Sequence, residues 1–232
     1  MNVQQTRFGY EIRTPKFTML FGGVDAQLPA LKEAYSQFQF TRVKQIHSDA
    51  VVESRDCSQD YQLIADSHFS REKNLALCVA TADCVPALIY HEPTGLIASV
   101  HAGWRGVANR IIVKTIETLV AQGASAHQLE VVIGPHIQKN SFEVGLGVRD
   151  QILAGLGAIN DEEKLLFSEK ISDEKALVDL HQVVKAQLQG AGITADRVFC
   201  LHVDTFLNCD FHSHRRDKER AGRQISFICR TS

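Results

Sequence analysis

The chain has 232 residues, 44% of them hydrophobic, which is enough to bury a substantial core without disulfide or metal staples. Its 25 basic and 27 acidic side chains leave a formal charge of −2, and this excludes a global field drawing the protein onto nucleic acid or anionic lipid. Six scattered cysteines lack the close spacing of a secreted disulfide framework, and neither a signal-like leader nor a membrane-length apolar run is visible. A cytoplasmic protein with small-molecule partners is therefore expected, with no nucleic acid and no membrane, acting as a monomer. No linker or repeat divides the chain, so one domain over 1–232 is the simplest organisation.

In chain order, 49 to 54, 75 to 80, 85 to 90 and 95 to 100 are short apolar runs bounded by turn residues, as buried strands are. After the Gly103-Trp104-Arg105-Gly106 turn the period changes. Val107, Ile111, Ile112, Thr115, Ile116, Leu119 and Val120 recur at about 3.6 residues and Gly123 stops them, predicting one amphipathic helix. A strand over 129 to 134 follows, then a short helix around Val148, Ile152, Leu153 and Leu156. Ser172 or Asp173 is expected to cap a helix carrying Leu177, Leu180, Val184 and Leu188. Strands over 196 to 201 and 223 to 230 bracket a polar segment containing His212, His214, Arg215 and Arg216. Helices and strands mix without the regular alternation of a doubly wound fold.

The strand over 95 to 100 ends at His101, and Cys84 follows the strand over 75 to 80; if those strands are neighbours, both side chains emerge at one sheet edge. Thiolate and imidazole suit zinc, with copper a softer alternative, and His47 is the best third candidate. No Cys-x-x-Cys or His-x-x-x-His supports this, and a buried cysteine or strand-end histidine more often only packs. A Cys/His nucleophile and base is a further alternative. Arg105 at the head of the following helix, and the basic cluster near Arg215 and Arg216, can hold an anion, although a tight glycine turn and a solvated loop explain them equally well. Nucleotide-fold, Walker and serine-elbow motifs are all missing.

Six stretches, 45 to 52, 81 to 90, 100 to 112, 133 to 145, 179 to 188 and 212 to 223, resemble in order the motifs of the YfiH family, also known as the multicopper polyphenol oxidase or laccase-domain family. The pair Thr81-Ala82-Asp83-Cys84 and His101-Ala102-Gly103-Trp104-Arg105-Gly106 carries most of the resemblance. It implies an α+β fold, a four-layer α/β/β/α sandwich with mixed sheets, and one metal site of His47, Cys84 and His101. It also implies a zinc-dependent purine nucleoside phosphorylase acting on adenosine, inosine, guanosine and methylthioadenosine, with adenosine deaminase activity. Copper-dependent phenol oxidation and editing of peptidoglycan precursors are the alternatives attached to the family. The substrates are then a nucleoside and phosphate, with Gln45, Asp66, Arg105, Arg215 and Arg216 as binding residues and Asp83 joining the three ligands in catalysis. Asp66 and Asp83 are acid/base groups or supports of the ligands.

Three departures stand out. The family's Asn-Arg helix start has no counterpart in residues 28 to 36, where only Lys32 is basic. The family's Gly-Pro-x-Ile-Gly-Pro-Cys loop carries Gln138, Lys139 and Asn140 here. His212 replaces an aromatic residue expected to form a wall of the site.

Overall fold

The stretch read as a buried strand at 75 to 80 is one, Leu75–Thr81, and its side chains alternate between two separate cores: Leu75 and Leu77 enter one, Ala76 and Cys78 the other. A strand buried on both faces must be covered on both, and that requirement sets the architecture. The computed structural model describes residues 2–158 and 160–232. In chain order the elements are β1 (Val3–Thr6), β2 (Gly9–Arg13), β3 (Phe17–Gly22), α1 (Leu28–Ala34), β4 (Gln39–Arg42), β5 (Val51–Glu53) and β6 (Ser67–Ser70). Next come β7 (Leu75–Thr81), β8 (Val85–His91), β9 (Leu96–Ala102), α2 (Trp104–Ala108), α3 (Ile111–Ala121) and β10 (Glu130–Ile133). The chain continues with β11 (Glu143–Gly145), α4 (Leu146–Ala154), α5 (Asp161–Phe167), β12 (Ser168–Lys170) and β13 (Lys175–Val178). It closes with α6 (Leu180–Gly190), β14 (Val198–Cys200), α7 (His214–Asp217) and β15 (Gln224–Arg230).

Two six-stranded mixed sheets, ordered β1-β2-β3-β15-β7-β4 and β14-β10-β8-β9-β6-β5, face each other across a core of Met19, Phe21, Leu77, Leu88, Ile97 and Val132. Each sheet is mostly antiparallel, with parallel pairs at β4–β7, β10–β14 and β5–β6. The outer face of the first sheet is covered by α1 and its following turn through Leu31, Tyr35 and Phe38. The second is covered by α2, α3, α4 and α6 through Val107, Ile112, Ile116, Ile152, Val183 and Val184. The result is the expected α/β/β/α order. A small third sheet, β11-β13-β12, lies beside the helices. Among the described residues no helix is long and apolar enough to cross a membrane, and all six cysteines are free thiols.

Three sequence readings need correction. The single helix expected from Val107 to Val120 is two, because Arg110 takes φ 62° and breaks the chain between α2 and α3. Asn109 and Arg110 are solvent-facing in either arrangement, so the apolar period does not register the break. The helix expected to start at Ser172 or Asp173 starts instead at Asp179, whose carboxylate accepts the Gln182 N–H at 3.0 Å. Leu177 belongs to β13; its spacing to Leu180 imitates a helical step across a strand-to-helix corner. Finally, the strands holding Cys84 and His101 in place are β8 and β9, where Pro86 pairs with His101, whereas β7 lies in the opposite sheet.

Candidate active site

The site gathers where three chain crossings meet at one end of the sandwich. Cys84 lies on the tight connection by which the chain leaves β7 in one sheet and enters β8 in the other, and His101 is the penultimate residue of β9 beside it. His47 comes from the segment between β4 and β5. One imidazole nitrogen each from His47 and His101 and the Cys84 sulfur lie within 4.8 Å of one another. The two rings are 4.9 Å apart and nearly perpendicular. Both His47 (φ 59°) and Asp83 (φ 81°) hold left-handed backbone, a costly conformation for residues with a Cβ, which tertiary contacts must impose.

For His47 those contacts centre on Asp66. Its fully buried carboxylate accepts the backbone N–H groups of Ile46, His47 and Ser48 at 3.1, 3.0 and 2.6 Å and the Ser48 hydroxyl at 2.7 Å. It also accepts Nδ1–H of His101 at 2.7 Å. Burial works to raise the Asp66 pKa, but the bonds from His101 and Ser48 prevail and bring it down to about 2. One carboxylate thus fixes the loop carrying His47 and leaves Nε2 of His101 facing Cys84, the usual support for a metal-ligating histidine. Asp66, expected among the substrate-binding groups, stands behind the three candidate donors and does not line the cavity.

Burial pushes the Cys84 thiol up, yet the two imidazoles outweigh it and lower its pKa to about 6. For His101 burial lowers the pKa, and the Cys84 and Asp66 charges raise it to about 9. A thiolate, two imidazoles and a supporting carboxylate make a donor set that fits zinc or another borderline-soft cation. Gly103 explains the turn between β9 and α2: a Cβ there would lie 2.9 Å from Cδ2 of His47 and 3.2 Å from Sγ of Cys84. Only glycine lets the backbone pass so close to two donors.

The donors form one wall of a cavity of about 660 Å3, within the range of small-molecule sites. Arg105 lines it, its guanidinium stacked 4.3 Å over the Trp104 ring and without a carboxylate partner among the described residues. Arg215 lines it too, with its backbone N–H on Asp83 at 2.6 Å, its guanidinium on the Glu143 carbonyl and its charge over the Phe142 ring. Asp83, expected as an acid/base group, has both oxygens engaged, the second by the Thr205 hydroxyl at 2.7 Å. Gln45 reaches the cavity, but its amide is paired in both directions with the backbone of Ala80.

Arg216 departs from the expectation of a second phosphate-binding arginine. Its guanidinium donates to the carbonyls of Thr205, Phe206, Asn208 and Phe211 and to Asp217, and it lies outside the cavity lining. Lys32 is also outside, on the α1 layer, and His212 packs against Gly222 instead of forming a wall. Besides Trp104, the apolar walls include Val43, Tyr61, Ile137 and Phe142, which sequence reasoning did not single out, and Arg223 joins the lining likewise unforeseen. Phe142 and Ile137 sit inside the family-like stretch 133 to 145, but nothing in the sequence marks Tyr61, which is held at φ 61° under Arg42.

With this geometry the chain can be placed. Residues 24–231 match the family of multi-copper polyphenol oxidoreductase laccases, and the chain belongs to that family, the YfiH family of the sequence resemblance. Among its relatives is a purine nucleoside phosphorylase of Pseudomonas aeruginosa, 33% identical over 186 residues that span 79% of this chain and 71% of that protein. Another, from Clostridium acetobutylicum and named likewise, is 31% identical over 85% of this chain and 80% of its own length. A prokaryotic protein named adenosine deaminase is 31% identical over 71% of this chain and 62% of its own. The fold matches that of YlmD from Geobacillus stearothermophilus, with a TM-score of 0.81 at 24% identity over 93% of this chain and 91% of that one.

Proposed function

We propose that this chain is a zinc-dependent purine nucleoside phosphorylase that also deaminates adenosine. The observation that carries the reading is the convergence of His47, Cys84 and His101 on one wall of a cavity whose other walls include three arginines, Arg105, Arg215 and Arg223, and the aromatic residues Tyr61, Trp104 and Phe142. Relatives named for the same two activities support it. Tyr61 and Phe142 give a flat purine apolar surfaces to lie against. Arg105 and Arg215 hold inorganic phosphate and orient one oxygen toward the sugar carbon that bears the base.

In phosphorolysis that oxygen bonds to the sugar carbon as the carbon–nitrogen bond breaks. The electron pair departs with the base, which takes up a proton, and the products are free purine and ribose 1-phosphate. Asp83 acts by holding Arg215 in place, one oxygen taking the Arg215 backbone N–H while the Thr205 hydroxyl fixes the other. Asp66 keeps the proton of His101 on Nδ1 and so directs Nε2 toward the cation. Zinc at His47, Cys84 and His101 supplies a Lewis acid that lowers the pKa of water toward about 7, the chemistry deamination needs.

The test is incubation of the zinc-loaded protein with adenosine, with and without phosphate. Adenine and ribose 1-phosphate are expected with phosphate and inosine without it, both lost in Cys84→Ala. Absence of both products, or phenol oxidation by the copper-loaded protein in their place, overturns the reading.

A further inference from the structure

We infer that the chain carries a second metal site, for zinc or a cation of the same borderline-soft class, formed by His181, Cys200 and His202. Their candidate donor atoms lie within 4.8 Å of one another. Zinc bonds of about 2.0–2.3 Å at tetrahedral angles set donors roughly 3.3–3.8 Å apart, so small side-chain adjustments close the set.

Three elements deliver these residues. β10 and β14 run parallel, with Ile133 opposite Cys200, so Cys200 stands at the end of β14 and His202 on the chain leaving it. His181 is the second residue of α6, turned inward from the helix layer. It is 4% exposed, and neither of its ring nitrogens has a hydrogen-bond partner among the described residues. Buried polar groups are nearly always paired, and leaving one unpaired is costly, so two orphaned nitrogens on one buried ring call for a ligand. The His202 ring centre is 4.8 Å from that of His181, and Cys200 is half-buried beside them.

The neighbouring His136 is not a donor. Its Nδ1–H donates to the Gly134 carbonyl at 2.7 Å and its Nε2 accepts from the Gln138 amide at 3.1 Å. Its ring instead lies parallel to His181 at 5.6 Å and braces it. His202 is exposed, so a cation enters from solvent. On binding, the Cys200 thiol gives up its proton to solvent and the sulfur becomes a ligand; no redox partner is required. None of the three residues lines the active-site cavity. The site therefore ties α6 to the edge strand β14 and does not take part in turnover.

The test uses the full chain freed of metal by chelation, then titrated with zinc and, separately, with cobalt(II). Two zinc ions per chain are expected for the wild type, and one each for Cys84→Ala and for the surface variant His202→Ala. In the Cys84→Ala chain cobalt(II) gives a thiolate charge-transfer absorption, and the further change Cys200→Ser abolishes it. His202→Ala keeps the nucleoside activity and loses the zinc-dependent rise in melting temperature that Cys84→Ala retains. A wild type binding one zinc together with a Cys84→Ala chain binding none overturns the second site while leaving the first intact. Persistence of the cobalt band in the Cys84→Ala/Cys200→Ser chain also overturns it.

Discussion

The two His/Cys/His clusters use the same three donors in opposite settings. Around His47, Cys84 and His101 a buried carboxylate orients one imidazole, and a cavity lined by Arg105, Arg215 and Arg223 opens in front of the donors. Around His181, Cys200 and His202, among the described residues, no carboxylate supports a ring nitrogen and no cavity is shared with the first cluster. An oriented ligand facing a charged pocket suits chemistry, whereas an unsupported set joining a helix to an edge strand suits anchoring. The donor set alone does not separate these uses; what surrounds it does.

The largest effect expected from breaking this contrast comes from Asp66→Asn. The amide cannot accept the His101, His47 and Ser48 bonds together, so metal affinity and nucleoside turnover should fall by roughly 10–100-fold. Metal bound at His181, Cys200 and His202 should be unaffected. Equal loss at both clusters, read by zinc titration against Cys84→Ala and His202→Ala controls, would erase the distinction.

Next is the pair of arginines. Arg105→Ala removes a guanidinium facing the cavity and should raise the KM for phosphate by about 10-fold or more with little change in melting temperature. Arg216→Ala should do the reverse, because it strips donors from four carbonyls and from Asp217: stability falls by about 1–3 kcal/mol and the KM for phosphate holds. Phosphate saturation curves beside thermal melts decide the matter.

The smallest effect is a difference in the sign of pH dependence. Burial holds His68 and His136 neutral, with pKa values pushed down to about 4, and the unfolded chain binds the extra proton first. Their contribution is present above pH 6.5 and is lost as the pH falls from there toward 4. His101 runs the other way in the metal-free chain: its raised pKa stabilises the fold below pH 6.5, and that gain disappears as the pH rises through about 9. His136→Asn, whose amide can still donate to Gly134, should therefore flatten the acid limb of denaturant-unfolding curves and leave the alkaline limb unchanged. An unaltered acid limb would show that His136 takes up its proton as readily in the folded chain as in the unfolded one.

Much of the fold was legible because burial on both faces leaves continuous apolar runs, and β7, β8, β9 and β15 are such runs. The edges were not. β1 and β2 carry Gln4, Gln5 and Glu11 among their few apolar residues, and β11 to β13 are three or four residues long, so neither group has a pattern to read. At the site, His47, Cys84, His101, Arg105 and Arg215 were readable from residue type and motif. The direction in which Arg216 points, the burial of Asp66 and the Tyr61 wall were not, since each depends on which carbonyl or ring a distant segment supplies.

By itself the sequence determined the buried strands, the amphipathic helices and the identity of the donors, because periodicity and side-chain chemistry are local properties. Only the tertiary structure decided that Cys84 meets His101 through β8, that one buried carboxylate serves both His47 and His101, and that a second set of donors assembles at the far end of β14. Those outcomes depend on strand register and on the packing of one layer against another. Both are fixed by contacts between residues far apart in the chain, to which no local pattern gives access.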